Sequence, residues 1–326
     1  MNIKFNNVYV KDVSTVAGPF VKNGPFTYDD IFENFYDGEE TFEKCEIKQL
    51  NKAIKILLQK SNKKEEDISF AISSDLMNQI TISNIVYSKL NIPYLGVYNA
   101  CASMCEEILI ASSIIDKYKN KNAICSTSSH NMTSERQYRN PVEYGSPKPK
   151  TATFTVTGAT SIMITNDKTN IKVESATIGK VIDMGINDVY DMGSVMTPSA
   201  AYVLNEHLKC TNTSVDDYDL ILTGDLGMYG KELFKEYVKR EYNIELKNNY
   251  DDSATMIYDY KEDVYAGGSG PSCLPLVVYS NIIPKMKNKE IKKVLLIATG
   301  ALMSPTTINQ KMSIPSVSHA ICLEVV

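Results

Sequence analysis

Tryptophan is absent from the 326 residues, and arginine (136, 139 and 240) and histidine (130, 207 and 319) each occur three times. The basic charge therefore rests on lysine. With a net charge of -5 the chain lacks the clustered positive field that nucleic-acid binding requires. No run approaches the ~18 to 20 apolar residues that span a bilayer. The opening MNIKFNNVYVKD has neither the basic segment nor the apolar core of a secretory signal. These absences lead to the expectation of a soluble, intracellular chain. Seven cysteines at irregular spacings do not form the framework of a small secreted domain, so they are expected as reduced thiols. What is present is enough apolar residue, 43%, to bury a full core in two domains of ordinary size.

The second half of the chain repeats the order of the first. NIKFNNVYVKDVSTVAGP (2–19) has its counterpart in NIKVESATIGKVIDMG (170–185), each a β-branched strand pattern running into a glycine turn. An amphipathic helix, a polar turn, a strand and SSDL (47–76) are matched by the segment ending in TGDL (200–226), which puts Asp75 and Asp225 in equivalent places. A small-residue turn, an apolar helix, a Lys/Asn-rich loop and a strand then follow in both halves. One duplicated unit of about half the chain, with strands alternating with helices, calls for an α/β fold of mixed, mostly parallel sheets sandwiched by helices. The boundary is expected near TNDKTN (165–170), giving halves 1–167 and 168–326.

In YLGVYNACASMCEEILIASSII (94–115) an apolar strand turns into a helix-like pattern at Cys101. Ser103 and Glu106 have the spacing of an S-x-x-E capping box, so a helix begins within two residues of the cysteine. A thiol there feels the positive end of the helix dipole, which favours the thiolate. The plain alternative is a core pair, because Cys101 and Cys105 lie four apart on one helical face beside Ile108 and Leu109.

With N-A-C-A between strand and helix in a duplicated α/β unit, and TVTGATSIMI (155–164) closing the first half, the chain resembles the thiolase superfamily. The similarity is to its β-ketoacyl-acyl-carrier-protein synthase III branch, in which the cysteine is acylated. The resemblance does not extend to the other catalytic parts. Asp225 in TGDLG stands where the synthases have the histidine of H-Q-A-N, and Gly268 in GGSG where they have the asparagine of G-N-T-S. Gly270 in SGP matches the histidine of the thiolases' G-H-P. Losing one donor to a developing oxyanion costs about a hundredfold or more, so the fold is expected without the reaction: no catalytic residue, cofactor or metal. The strings SSHNMTSERQYRNPVEYG, DMGSVMTPSA, TGDLGMYG, AGGSGPSC and SIPSVSHA are similar, over nearly the whole chain, to the stage V sporulation protein AD family of endospore-forming bacteria. That resemblance implies a non-catalytic protein that binds dipicolinic acid (pyridine-2,6-dicarboxylate). It also implies peripheral work at the forespore inner membrane, with the SpoVA membrane proteins of the same operon, in uptake of the compound, with calcium as a companion ion. Thiolase relatives pair through the first-half sheet, so a homodimer is a further expectation.

A planar dianion is best read by arginine's fork. In SERQYR the chain offers Arg136 and Arg139, with Tyr138 and Tyr144 for stacking and His130 at the start of the loop; pairing of the arginines with Glu135 or Glu143 is the bland alternative. Asp225 either accepts from a protonated ring nitrogen or a calcium ion, or caps a helix as Asp75 does. His319, before the final strand, is either near the site or a core histidine. Asp183, Asp188 and Asp191 lack EF-hand spacing and read as a solvated loop. His207 with Cys210 makes no zinc site without two further ligands. The rival functions are an acyltransferase or condensing enzyme of the synthase III type using Cys101, and a pure scaffold for membrane partners.

Overall fold

The computed structural model describes residues 1–119, 121–138, 148–259 and 264–326. The chain runs first through β1 (Asn2–Lys4), β2 (Tyr9–Ala17), β3 (Asp30–Ile31), α1 (Phe42–Lys60), β4 (Phe70–Ser74) and α2 (Thr81–Tyr87). Next come β5 (Tyr94–Gly96), α3 (Ser103–Ile115), β6 (Asn122–Ser129), α4 (Asn131–Tyr138), β7 (Phe154–Thr155) and β8 (Gly158–Thr165). β9 (Ile171–Thr177), α5 (Met192–Thr211), β10 (Leu220–Thr223), α6 (Gly227–Tyr242), β11 (Tyr250–Asp252) and β12 (Gly268–Ser269) follow. The chain closes with α7 (Cys273–Val277), α8 (Ile283–Lys287), β13 (Lys293–Ala301), α9 (Pro305–Asn309) and β14 (Ser316–Val325).

The main sheet has the order β11-β10-β13-β14-β9-β2-β8-β6-β4-β5. It reads alike from either edge: β5 answers β11, β4 answers β10, β6 answers β13 and β8 answers β14. This is the duplication seen in the sequence, expressed as topology. The outer pairs β4–β5, β4–β6, β10–β11 and β10–β13 are parallel, and the inner pairs around β2 and β9 are antiparallel. Parallel neighbours need crossover helices, which cover the faces.

The helices divide by sequence pattern into outer and central ones. α1 is amphipathic: Thr41 accepts from the Lys44 N–H as its N-cap, Glu43 and Lys60 complement the dipole, and Leu50, Ala53, Ile54 and Leu57 are buried. α5 and α6 cover the other end of the sheet, with Asp191 capping α5. They approach so closely that a Cβ on Gly193 would sit 2.8 Å from the Gly230 Cα. α3 is apolar nearly all round, and it lies in the same buried cluster as α7 and α8, with residues of β2, β13 and β14. A helix buried on every side needs no polar face, and its Ile108 and Ile115 side chains are fully buried. Each such side chain contributes about 1.5 to 3 kcal/mol of burial energy. Both central helices start beyond the carboxyl ends of parallel strands, α3 after β5 and α7 after β12, and this is the end where the site forms. All seven cysteines are unbridged.

Candidate functional site

Cys101 sits in a single turn, Ala100–Ala102, that runs straight into α3. Ala100 holds φ 49°, a left-handed conformation an alanine adopts only under constraint. β13 supplies that constraint: a Cβ on Gly300 would meet the Asn99 carbonyl oxygen at 2.5 Å, so only glycine lets the strand lie this close. The capping box expected of Ser103 and Glu106 is replaced by a different arrangement, because the helical turn already begins before Ser103. Ser103 Oγ instead accepts from the Asn99 N–H (3.2 Å) and donates to the Ala100 carbonyl (2.8 Å), and Glu106 bonds the Asn99 side chain.

Asn99 is held from its other side by His319. The His319 Nδ1 accepts from the Gly179 N–H at 3.2 Å, and its Nε2 lies 2.9 Å from the Asn99 side-chain amide nitrogen. Burial pulls the imidazole down to about 4, so it is neutral at physiological pH with both nitrogens engaged. His319 therefore positions the turn that carries Cys101.

Asp225 does not repeat the work of Asp75. Asp75 accepts from the Met77 N–H (2.9 Å) and the Ser83 N–H (2.8 Å), tying the end of β4 to α2. At the equivalent place near α6 the capping carboxylate is Asp252, which accepts from the N–H groups of Leu226 (3.2 Å), Gly227 (3.0 Å) and Ala254 (3.1 Å). Asp225, at φ 65°, turns its carboxyl to the Cys101 thiol and accepts from the Gly270 N–H at 2.7 Å. Burial raises it to about 8, and the charge of Asp252, itself raised to about 6 by burial, adds to the rise. The helix-capping reading of Asp225 is thus corrected: its carboxyl faces Cys101 and the Gly270 N–H.

Cys101 and Gly270 belong to the wall of a small cavity of about 60 Å³. Leu76, Met192, Met196 and Met303 make it mostly apolar, while Ser134, Thr155, Ser269, Tyr98 and Tyr138 bring hydroxyl groups. Tyr138 donates to the Leu76 carbonyl (2.5 Å), so Tyr98 is the donor in the 2.7 Å bond between the two phenols. Ser134 Oγ is buried and has no hydrogen-bond partner among the described residues, although buried hydroxyls are nearly always paired. Among the described residues no lysine, arginine or histidine lines this cavity.

The segment 131–138, expected as a loop, is the helix α4; the Ser134 N–H bonds the His130 carbonyl at 3.1 Å and opens it. Helical phase then sorts the candidates. Ser134 and Tyr138, four apart, face the cavity, whereas Arg136 falls on the opposite side. Its guanidinium pairs with Glu43 and lies 5.5 Å from the Phe42 ring centre. His130 is also drawn away: its Nε2 meets the Phe35 carbonyl at 2.9 Å among the rings of Phe35 and Phe42, and burial lowers it to about 4. Of the sequence candidates, Cys101, Tyr138 and Asp225 therefore converge, His319 supports them from behind, and Arg136 and His130 stand outside. Arg139 and Tyr144 lie outside the described residues. Sequence reasoning missed Asn99, Tyr98 and Ser134; the N-A-C-A string contains the first, but nothing in the residue types marks the other two.

Asp183, Asp188 and Asp191 do not pool their charges. Each accepts from a nearby backbone N–H, that of Gly185, Tyr190 and Ser194 respectively. His207 is a core residue bonded to Thr177 Oγ1 (2.7 Å) and the Tyr218 hydroxyl (2.9 Å). Among the described residues no three His, Cys, Asp or Glu side chains gather as a metal site, and no helix is long and apolar enough to cross a membrane.

This architecture is thiolase-like. It is similar to 3-oxoacyl-[acyl-carrier-protein] synthase III from Aquifex aeolicus VF5, with a TM-score of 0.58 and 12% identity over 97% of this chain and 99% of that one. It is also similar to a single-residue variant of OleA from Xanthomonas campestris, with a TM-score of 0.64 and 13% identity over 98% of this chain and 97% of that one. At such identities the likeness is one of fold. Sequence narrows the class: the chain is 40% identical over 320 residues to Stage V sporulation protein AD of Bacillus subtilis (strain 168), covering 97% of this chain and 94% of that protein. Residues 2–324 match the family model for Stage V sporulation protein AD (SpoVAD), and the chain belongs to that family.

Proposed function

We propose that this member of a sporulation family is a non-catalytic binding protein whose Cys101 cavity holds dipicolinic acid and supports its uptake into the developing spore. The observation that carries this reading is the Cys101–Asp225 pair. A base must take the thiol proton before a cysteine can attack. Asp225, raised to about 8, is predominantly a neutral acid at pH 7 and has no vacancy for that proton in this form. Ionised, it is a base for that proton, but this form is the minor one at pH 7. The predominant state disarms the nucleophile, and His319 and His130 are neutral with both nitrogens engaged.

The same pair suits an anionic, planar guest. The wall behind Cys101 is uncharged at neutral pH, the α3 N-terminus lies at that wall and favours negative charge, and the unpartnered Ser134 hydroxyl supplies a donor. Tyr98 and Tyr138 supply flat faces. Arg139, next in sequence to Tyr138, is the arginine that remains for a bidentate carboxylate contact. In this reading the protein works peripherally at the forespore inner membrane beside SpoVA membrane proteins, as a homodimer, with calcium accompanying the ligand. Calorimetric titration with dipicolinic acid, and with picolinic acid as the single-carboxylate control, tests it. Saturable binding that prefers the dicarboxylate supports the reading; equal binding of both, or none, removes it.

A second reading rests on the position of Cys101 at the start of α3, where the helix dipole assists a thiolate. If an acyltransferase survives here, incubation with acyl-coenzyme A adds an acyl mass at Cys101. An unmodified mass disposes of that reading.

A further inference from the structure

The two central helices share a second feature, at the end away from the cavity. α3 runs from Ser103 to Ile115 and is followed by Lys117-Tyr118-Lys119-Asn120-Lys121; α8 ends in Lys285-Met286-Lys287, followed by Asn288-Lys289. Both copies of the duplicated unit thus finish their central helix with K-x-K-N-K. The fold brings the two ends to one face. The Lys121 N–H donates to Asn166 Oδ1 at 3.0 Å, and Asn122 stands opposite Thr165, which stands opposite Tyr9. Two strand spacings, about 10 Å, separate Asn122 from Tyr9. Three residues along β2, Asp12 holds Lys287 at 3.0 Å. Lys168, on the β8–β9 loop beside Asn166, is exposed on the same end.

We propose that this end of the molecule is a docking face for an anionic lipid bilayer. Lysines near a helix C-terminus complement the dipole, and that plain reading covers Lys117, Lys285 and Lys287. It does not reach Lys121, Lys168 or Lys289, which lie beyond the last turns. Nor does it explain Tyr118, which is 58% exposed between two lysines. Among the described residues Lys117, Lys119, Lys121, Lys168 and Lys289 form no ion pair. The neighbouring Asp116 spends its carboxylate on the N–H groups of Asn6 (2.9 Å) and Asn7 (2.8 Å).

Long lysine stems around a tyrosine are suited to a membrane interface: the ring sits at headgroup depth while the ammonium groups reach the phosphates. Nucleic acid is the lesser match, because among the described residues the face carries no arginine and the chain as a whole is at -5. With this end on a bilayer, the cavity mouth at the opposite end opens to water. The proposal gives the membrane association suggested above a location and rests on that reading only in this respect. Ligand binding and bilayer binding fail separately.

The test is co-sedimentation of the full chain with phosphatidylcholine vesicles, with and without phosphatidylglycerol, at low and high salt. Anionic vesicles should sediment the protein and neutral ones should not, with salt releasing it. Each lysine at an anionic surface multiplies binding roughly fivefold, so Lys117→Glu, Lys119→Glu and Lys121→Glu together should weaken it by more than tenfold. Lys168→Glu with Lys289→Glu forms an independent second set, and Tyr118→Ala a smaller third effect. These side chains are exposed, and an unchanged thermal melt verifies the fold. Sedimentation that ignores phosphatidylglycerol, binding by both charge-reversed sets equal to that of the native chain, or tighter binding to a DNA duplex at the same salt would overturn the proposal.

Discussion

Asp75 and Asp225 occupy equivalent places in the two copies of one unit, yet they do opposite kinds of work. Asp75 is spent on backbone N–H groups and fixes a turn. Asp225 is released from capping because Asp252, on the neighbouring strand, has taken over the backbone at α6. It is then available to face Cys101. A duplicated fold can keep a residue type at both positions while only one of them borders the site. What distinguishes them is which neighbour satisfies the helix start.

The largest effect that sharpens this contrast is expected at Asp75. Asp75→Ala leaves the Ser83 N–H, which is buried, and the Met77 N–H, which is half-buried, without an acceptor and should cost about 2 to 6 kcal/mol in denaturant unfolding, at about 1 to 3 kcal/mol each. Asp225→Asn should do the reverse. Its folded pKa of about 8 lies above the ordinary carboxyl value of 3.8, so ionisation opposes folding increasingly as pH rises between these values. The variant should gain stability progressively as pH rises, by up to about 5 kcal/mol near pH 8 and little near pH 4, read from melts across pH. A pH-independent difference would mean that Asp225 is already ionised in the fold.

A smaller effect concerns reactivity. With no carboxyl beside it, Cys101 in Asp225→Asn should be alkylated by iodoacetamide about tenfold faster, followed by mass spectrometry of the modified peptide. An unchanged rate would show that the pair does not restrain the thiol. Least of all, Arg136→Ala should change stability by at most ~1 kcal/mol, as an exposed ion pair with Glu43 does. It should leave dipicolinic acid affinity untouched, while Arg139→Ala should lower affinity by about 1.5 to 3 kcal/mol. Equal losses in both would return Arg136 to the site.

The fold class was readable in the chain because the duplication repeats whole strings, from the opening strands to the paired SSDL and TGDL; the strand order was not. The position of Cys101 was readable too, since a small-residue turn between an apolar strand and an apolar helix permits few geometries. The directions of side chains on 131–138 were not. Read as a loop, the segment left Arg136 and His130 free to reach a ligand; as a helix it commits positions 134 and 138 to one side and 136 to the other. The role of Asp225 was legible only as an alternative, because its release depends on Asp252, some 27 residues further along the chain and across a strand pair. Ser134 carried no signal at all, because an unpaired hydroxyl is a property of its surroundings and not of its residue type.

The central claim is that a neutral Asp225 behind Cys101 makes the wall on which an anionic guest rests. Calorimetric titration of dipicolinic acid about one pH unit below and one above 8, in the native chain and in Asp225→Asn, tests it most directly. The account predicts binding in the native chain that weakens at the higher pH, as a buried negative charge appears behind the thiol, and binding in the variant that is the same at both. Affinity in the native chain that does not change across that interval, or a loss of the same size in the variant, would contradict it.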